Sequence, residues 1–243
     1  MSAHKTTHEL NVYLDANTPG AVSLSELIKN QFVDGVIPPT LTLIITIAPN
    51  HTVAILDDVA TANAGIVTHV ITCVIHEKSQ LTYQLKMTEV SVPEQSVGTI
   101  VNKKLTFSLV GQHAQAAVRC AYMGTNNQLL NIQTVQDHQA QHTTSSLIIK
   151  GVLDNAAHIK AHNIIHIHKG ADRSNAEQTN KNILLSSQAG ATSQPQLEIE
   201  AHDVKCKHGA AVSQLSPEHL FYLQSRGLNT TASRDLLIQA FLV

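Results

Sequence analysis

Apolar and polar residues alternate along much of the chain. Leu81, Tyr83, Leu85 and Met87 are separated by Thr82, Gln84 and Lys86; Leu105, Phe107 and Leu109 by Thr106 and Ser108; Leu197, Ile199 and Ala201 by Glu198 and Glu200. Period two marks strands with one face buried. Leu41 to Ile47, Ile66 to Ile75 and Leu147 to Leu153 read as further strands, richer in β-branched residues. Turn formers punctuate them: Pro49-Asn50, Asn63-Ala64-Gly65, Gly124 to Asn127, Asp154-Asn155 and Ala189-Gly190. Ser23 to Asn30 has room for two helical turns at most.

A chain of short strands and compact turns can form a sandwich, an antiparallel barrel or a β-solenoid. Hairpin architectures favour Asn-Gly or Asp-Gly turns, and Asp34-Gly35 is the single such pair. Short strands, aliphatic stacking and Asn-containing corners favour a mainly β fold, a parallel β-helix, although no strict repeat is visible. The pattern changes after Gln214. Ser216-Pro217-Glu218 starts a helix with a Ser N-cap, Pro at the first position and an acid at the positive dipole end. Leu220 to Ser225 continues it, Arg226 lies near its end, and Gly227 is a left-handed cap. A second start falls around Thr230 or Thr231, with Leu236/Ala240 and Leu237/Phe241 as i,i+4 pairs. The expected division is a β-helix core over 1–214 and a short helical segment over 215–243. That segment buries little by itself, so its apolar face needs the β body or a partner.

Composition narrows the function. Apolar residues make up 43% of the 243 and charged residues 14%, too apolar for disorder. Sixteen basic against eighteen acidic side chains leave −2, which argues against a nucleic-acid groove or an anionic-membrane patch. Aromatics are 3% with no Trp, so the core must be aliphatic. Cys73, Cys120 and Cys206 are too sparse for a disulfide framework or a CxxC zinc site, and fit a reducing compartment. The N-terminus has no signal-peptide h-region and no apolar run reaches eighteen residues, so a cytoplasmic address and no membrane span are expected.

Three segments could carry chemistry. His158, Lys160, His162, Ile164, His166 and His168 share one strand parity, and Ile159, Ala161, Ile165 and Ile167 the other. The aliphatic parity reads as core and the histidines as the solvated face, because no carboxylate or thiolate is interleaved to complete a metal site. Asp57 and Asp58 are adjacent, so in a strand they point to opposite faces and form no acid/base dyad; a turn or edge role is expected. Val204 to Ala210 holds Cys206 and His208 two apart, hence on one strand face with Val204, and Lys205 and Lys207 on the other. A thiol beside an imidazole can ligate zinc, iron or an iron–sulfur cluster. Two ligands are not a site, and a buried Cys beside a hydrogen-bonded His is the plainer alternative.

At this heptapeptide the sequence resembles a known family. The run from Pro195 to Val212, followed by Leu220 to Gly227, is similar to the C-terminal signature of the SufB/SufD scaffold subunits of SUF iron–sulfur cluster assembly. Asp137-His138-Gln139, Ser145-Ser146-Leu147 and 150–154 (Lys-Gly-Val-Leu-Asp) fit the same family. The resemblance is to the SufD branch: SufB carries a scaffold cysteine where Asn180 stands here, and a Glu where Gly209 follows the histidine. It implies a right-handed parallel β-helix and a non-catalytic role. It implies that His208, with Cys206 beside it, handles iron or a transient iron–sulfur cluster shared with a SufB-like subunit. It also implies that a SufC-like ATPase docks on the C-terminal helices, for which Leu220, Phe221, Leu223, Arg226, Leu236, Leu237 and Phe241 are the candidates; pairing with a second copy is open. Nothing here resembles the family's helical N-terminal domain and the last helix ends early, so the expectation is a shortened SufD-like chain. Lys207 replaces a usual Ser, and His202 an Asp. The competing readings are a β-helix enzyme acting on polysaccharide, which needs clustered carboxylates, and a His-rich metal-binding module.

Overall fold

The computed structural model describes residues 8–29, 31–32, 38–58, 65–87 and 99–243. In chain order the elements are β1 (His8–Leu14), β2 (Ala21–Ser23), α1 (Leu24–Lys29), β3 (Thr40–Ile47), β4 (Thr52–Asp57), β5 (Ile66–Ile75), β6 (Gln80–Met87), β7 (Ile100–Leu109), β8 (Gln115–Gly124), β9 (Leu129–His138), β10 (Thr144–Leu153), β11 (His158–Ile167), β12 (Asn175–Leu184), β13 (Gly190–Ile199), β14 (Lys205–Gln214), α2 (Pro217–Ser225) and α3 (Thr230–Leu242). The alternating segments are strands where the pattern places them, and α1 fills the short helical window. Asp34-Gly35 and Asn63-Ala64 lie outside the described residues.

The odd-numbered strands form one seven-stranded sheet and the even-numbered strands the other, each in sequential order. Pairings run β1–β3, β5–β7 and β10–β12, each parallel. The chain therefore crosses from one sheet to the other at every corner, which is a β-solenoid. The repeat hidden in the sequence appears in the register: Ile100, Leu129 and His158 stand side by side at intervals of 29 residues. Corners carry it too. Asn126 and Asn155 occupy equivalent corners at φ 56° and 52°, and Asn50 takes φ 57°; Asn tolerates this left-handed backbone better than most residues.

The interior is built from columns of inward side chains. One runs Ile45, Cys73, Phe107, Gln136, Ile165, Leu197, and another Leu43, Ile71, Leu105, Thr134, Asn163, Pro195. The early coils are mostly apolar, with Asp57, His69 and Lys103 buried among them; from β9 onward the interior takes in more polar groups, each buried one needing a partner. His138 is flanked by Thr143 and Ser145 oxygens at 2.7 Å, and Gln136 donates to Ser145 at 2.6 Å. Tyr122 donates to Asn182 across Gly151, where any Cβ would collide with the tyrosine ring. That is the physical reason for a glycine in the middle of β10.

The two C-terminal helices follow their caps. Ser216 accepts from His219 N at 3.3 Å, and Gly227 closes α2 at φ 95°. Asn229, one residue before the expected start, caps α3 by accepting from Ala232 N at 2.8 Å. The apolar face of α3 takes the β body: Ile238, Phe241 and Leu242 pack with Val152, Ile183 and Met123. Arg234 pairs with Asp154 at 2.7 Å, and Lys150 Nζ donates to the Val243 carbonyl at 2.5 Å. No helix among the described residues is long and apolar enough to cross a membrane.

Candidate functional site

The solenoid ends in an uncovered coil. Among the described residues β13 pairs only with β11 and β14 only with β12, so each has one backbone edge with no strand of these residues beside it. The inward positions of this coil are exposed because no further rung of the described residues lies over them: Leu197 is 38% exposed, Ile199 42% and Val212 47%. Free strand edges and contiguous apolar surface are the features that proteins normally cover.

Cys206 and His208 sit on this rung, as the strand parity requires. Cys206 lies over Ala176 and His208 over Gln178 of β12. The cysteine is half-buried against Ile165, Ile167, Ala171 and Ala176, and this burial pushes its thiol pKa up. His208 is exposed. Beneath it the Gln178 amide is 2% exposed with neither its oxygen nor its nitrogen hydrogen-bonded. Lys207, on the opposite face, pairs with Glu177 at 2.7 Å. The rung thus offers one sulfur and one imidazole on a common face, over a floor that is apolar beneath the sulfur and polar beneath the imidazole. Deprotonated thiolate and neutral imidazole are the forms that ligate.

The sequence-predicted helix residues divide. Phe221 is 73% exposed and Leu236 45%, with Tyr222 beside Phe221 at 55%. Leu220, Leu223 and Leu237 are half-buried. Arg226 is exposed, its guanidinium 5.3 Å from the centre of the Tyr222 ring. Phe241 is turned to the β body, with Lys150 Nζ 5.8 Å from its ring centre.

The other candidate segments resolve differently from one another. Asp57 is not at a turn or edge: it is fully buried at the end of β4, where Lys103 Nζ stands 2.8 Å and Tyr83 Oη 2.8 Å from one carboxylate oxygen. Asp58 does take the turn role. It accepts from Ser25 N at 2.9 Å and from the Ser23 hydroxyl at 2.7 Å at the start of α1, and these bonds hold its carboxyl below the ordinary range against the opposing effect of partial burial. The two acids therefore do not meet in a groove, as a polysaccharide-active centre would require. His158, His162 and His166 face outward, as parity predicts. The missing carboxylate, however, is supplied from another coil: Asp137 of β9 lies opposite His166. A local reading of the histidines could not find it; the 29-residue offset between His166 and Asp137 was the signal.

Fold and rung together define a parallel β-solenoid whose last coil is uncovered and carries a thiol and an imidazole on its inward face. Residues 39–241 match the family described as SUF system FeS cluster assembly, SufBD core domain. The chain belongs to that family. It is 28% identical over 144 residues to the iron-sulfur cluster assembly protein SufD of Escherichia coli (strain K12), covering 59% of this chain and 34% of that protein. To an iron-sulfur cluster assembly SufBD family protein of Synechocystis it is 41% identical over 100 residues, 41% of this chain and 22% of that one. To the iron-sulfur cluster assembly protein SufD of Bacillus subtilis (strain 168) it is 30% identical over 137 residues, 56% of this chain and 31% of that one. The chain thus matches about a third or less of the length of these relatives.

Proposed function

We propose that this chain is a SufD-like, non-catalytic subunit of a SUF-type iron–sulfur cluster assembly complex in the cytoplasm. Its last coil pairs with a SufB-like subunit, and α2 and α3 dock a SufC-like ATPase. The observation that carries the reading is the uncovered rung holding Cys206 and His208. One sulfur and one imidazole are too few donors to hold a cluster, whose irons are ordinarily held by four protein ligands. A partner surface laid on this rung would add the missing donors, cover Leu197, Ile199 and Val212, and continue the free edges by strand addition. The cluster is then cargo shared across the boundary. Phe221, Leu223 and Leu236 supply the apolar part of the ATPase contact, while Phe241 anchors α3 to the body.

The test is co-expression with SufB-like and SufC-like chains, affinity capture through this subunit, and iron and sulfide analysis of the captured complex. The expected result is a ternary complex whose His208→Ala form assembles normally but carries less iron and sulfide. Unchanged cluster content would remove His208 from the mechanism. Capture of a second copy of this chain in place of the SufB-like subunit would replace the heteromeric reading with a homodimer.

A further inference from the structure

The outward face of the odd-numbered sheet carries a second constellation, separate from the Cys206–His208 rung. Asp137 stands next to last in β9, His166 next to last in β11, and His168 just beyond the end of β11. One carboxylate oxygen, Oδ1 of Asp137, faces both imidazoles: His168 Nε2 at 2.8 Å and His166 Nδ1 at 3.4 Å. The two rings lie 3.8 Å apart at 40°. One donor atom from each of the three residues falls within 4.8 Å of the others.

The geometry points to a binding site for one divalent first-row transition-metal ion, held by Asp137, His166 and His168. Four-coordinate zinc with bonds of 2.0–2.1 Å places its donors about 3.3 Å apart. The Asp137–His166 separation of 3.4 Å already meets that edge. His168 needs only a small outward shift, and its place beyond the strand end permits one. Asp137 is the fixed member. Its side chain is 12% exposed, and its second oxygen accepts from Gln139 Nε2 at 2.6 Å and from the Ser108 hydroxyl at 3.3 Å. Those bonds orient the carboxylate while leaving Oδ1 to the imidazoles. His166 has its own outer partner: with Nδ1 toward the site, Nε2 faces Glu200 Oε1 at 3.7 Å. A carboxylate behind a ligating imidazole fixes the ring and raises its basicity.

Two imidazoles and one carboxylate suit zinc, cobalt(II) or iron(II), and not the all-oxygen preference of calcium or magnesium. His166 and His168 are partly exposed, so the remaining coordination position opens to solvent. The site thus has the three-ligand form associated with exchangeable or reactive ions rather than the closed four-ligand structural form.

Cobalt(II) binding to the whole chain, stripped beforehand with a chelator, tests this by equilibrium dialysis and visible absorption. The expected result is one Co²⁺ per chain with ligand-field bands and no thiolate charge-transfer band. The His166→Ala/His168→Ala variant loses that ion. Its metal-free circular dichroism should match the parent, since both side chains lie on the outward face. Asp137→Asn, nearly isosteric, must show the same loss if the double variant folds poorly. Glu200→Gln should weaken binding by roughly tenfold, whereas Cys206→Ser/His208→Ala should leave it unchanged. Less than one Co²⁺ per parent chain, equal binding by Asp137→Asn, or a thiolate band that disappears with Cys206→Ser would each overturn the assignment.

Discussion

Phe107 and Leu197 occupy one inward column of the solenoid, linked through Gln136 and Ile165. Phe107 is 1% exposed and Leu197 is 38% exposed. Their local sequences alternate in the same way, and both strands form. The difference is that a coil lies over Phe107, whereas none of the described residues forms a coil over Leu197. Alternation therefore reports which face of a strand turns inward, and not whether anything covers that face. The middle coils spend their apolar pattern on the molecule's own stability; the last coil leaves the same pattern available to another molecule.

The sharpest test of the middle coils is their buried charge. Lys103 and Asp57 are both fully buried and lie 2.8 Å apart. Removing one member of such a pair leaves the other in a medium of low polarity. Lys103→Ala should destabilise the chain by about 3–5 kcal/mol, measured by chemical denaturation. A loss below about 1 kcal/mol would mean that the coil admits water at this point, and that the middle is not the sealed region the comparison assumes.

The comparison itself is tested by one substitution made twice. Leu105 is fully buried, so Leu105→Ala should cost about 2–5 kcal/mol through lost transfer energy and a residual cavity. Leu197→Ala, on the uncovered rung, should cost less than about 1 kcal/mol in the isolated chain. Equal losses would show that the last coil is as tightly packed as the middle.

Much of the fold was legible because period two is a local property. The strands 41–47, 66–75 and 147–153, the Ser216 cap and the Gly227 stop each need only near neighbours, and each is in place. The solenoid's repeat was harder to see. It resides in positions such as Asn126 and Asn155, where backbone conformation recurs while most side chains vary. Long-range pairs were invisible to local reading. Asp57 lies 46 residues from Lys103, and neither residue's surroundings announce a buried ion pair. The candidate rung was partly legible: Cys206 and His208 share a face by parity alone, but their exposure depends on the absence of a following coil. Asp137 escaped notice as a neighbour of His166 because the pairing depends on the register of β9 against β11.

Titration probes the sealed middle of the molecule in another way. His69 is 1% exposed in β5, and its pKa is lowered to about 4, first by burial and then by the positive charge of Lys103. Unfolded, the same imidazole titrates near 6.5. Between those values the unfolded chain binds more protons than the folded one, so stability is full above about pH 6.5 and falls as pH drops toward 4. The loss from this group is on the order of 3 kcal/mol. His69→Gln should remove that share of the difference between denaturation curves at pH 7 and pH 4.5. An unchanged difference would show that His69 is hydrated enough to protonate in the folded state.

The smallest effect on the isolated chain should come with the largest effect on assembly. Leu197→Asp places a charge on a surface already open to water, so its denaturation curve should shift by no more than about 0.5 kcal/mol. In a complex the same carboxylate would be trapped against the partner without a counter-charge, a burial that costs several kcal/mol. Co-purification with the SufB-like subunit should therefore fall sharply while the variant remains folded. If the pair still forms, Leu197 lies outside the contact, and the exposed apolar residues of the last coil are not what a partner covers.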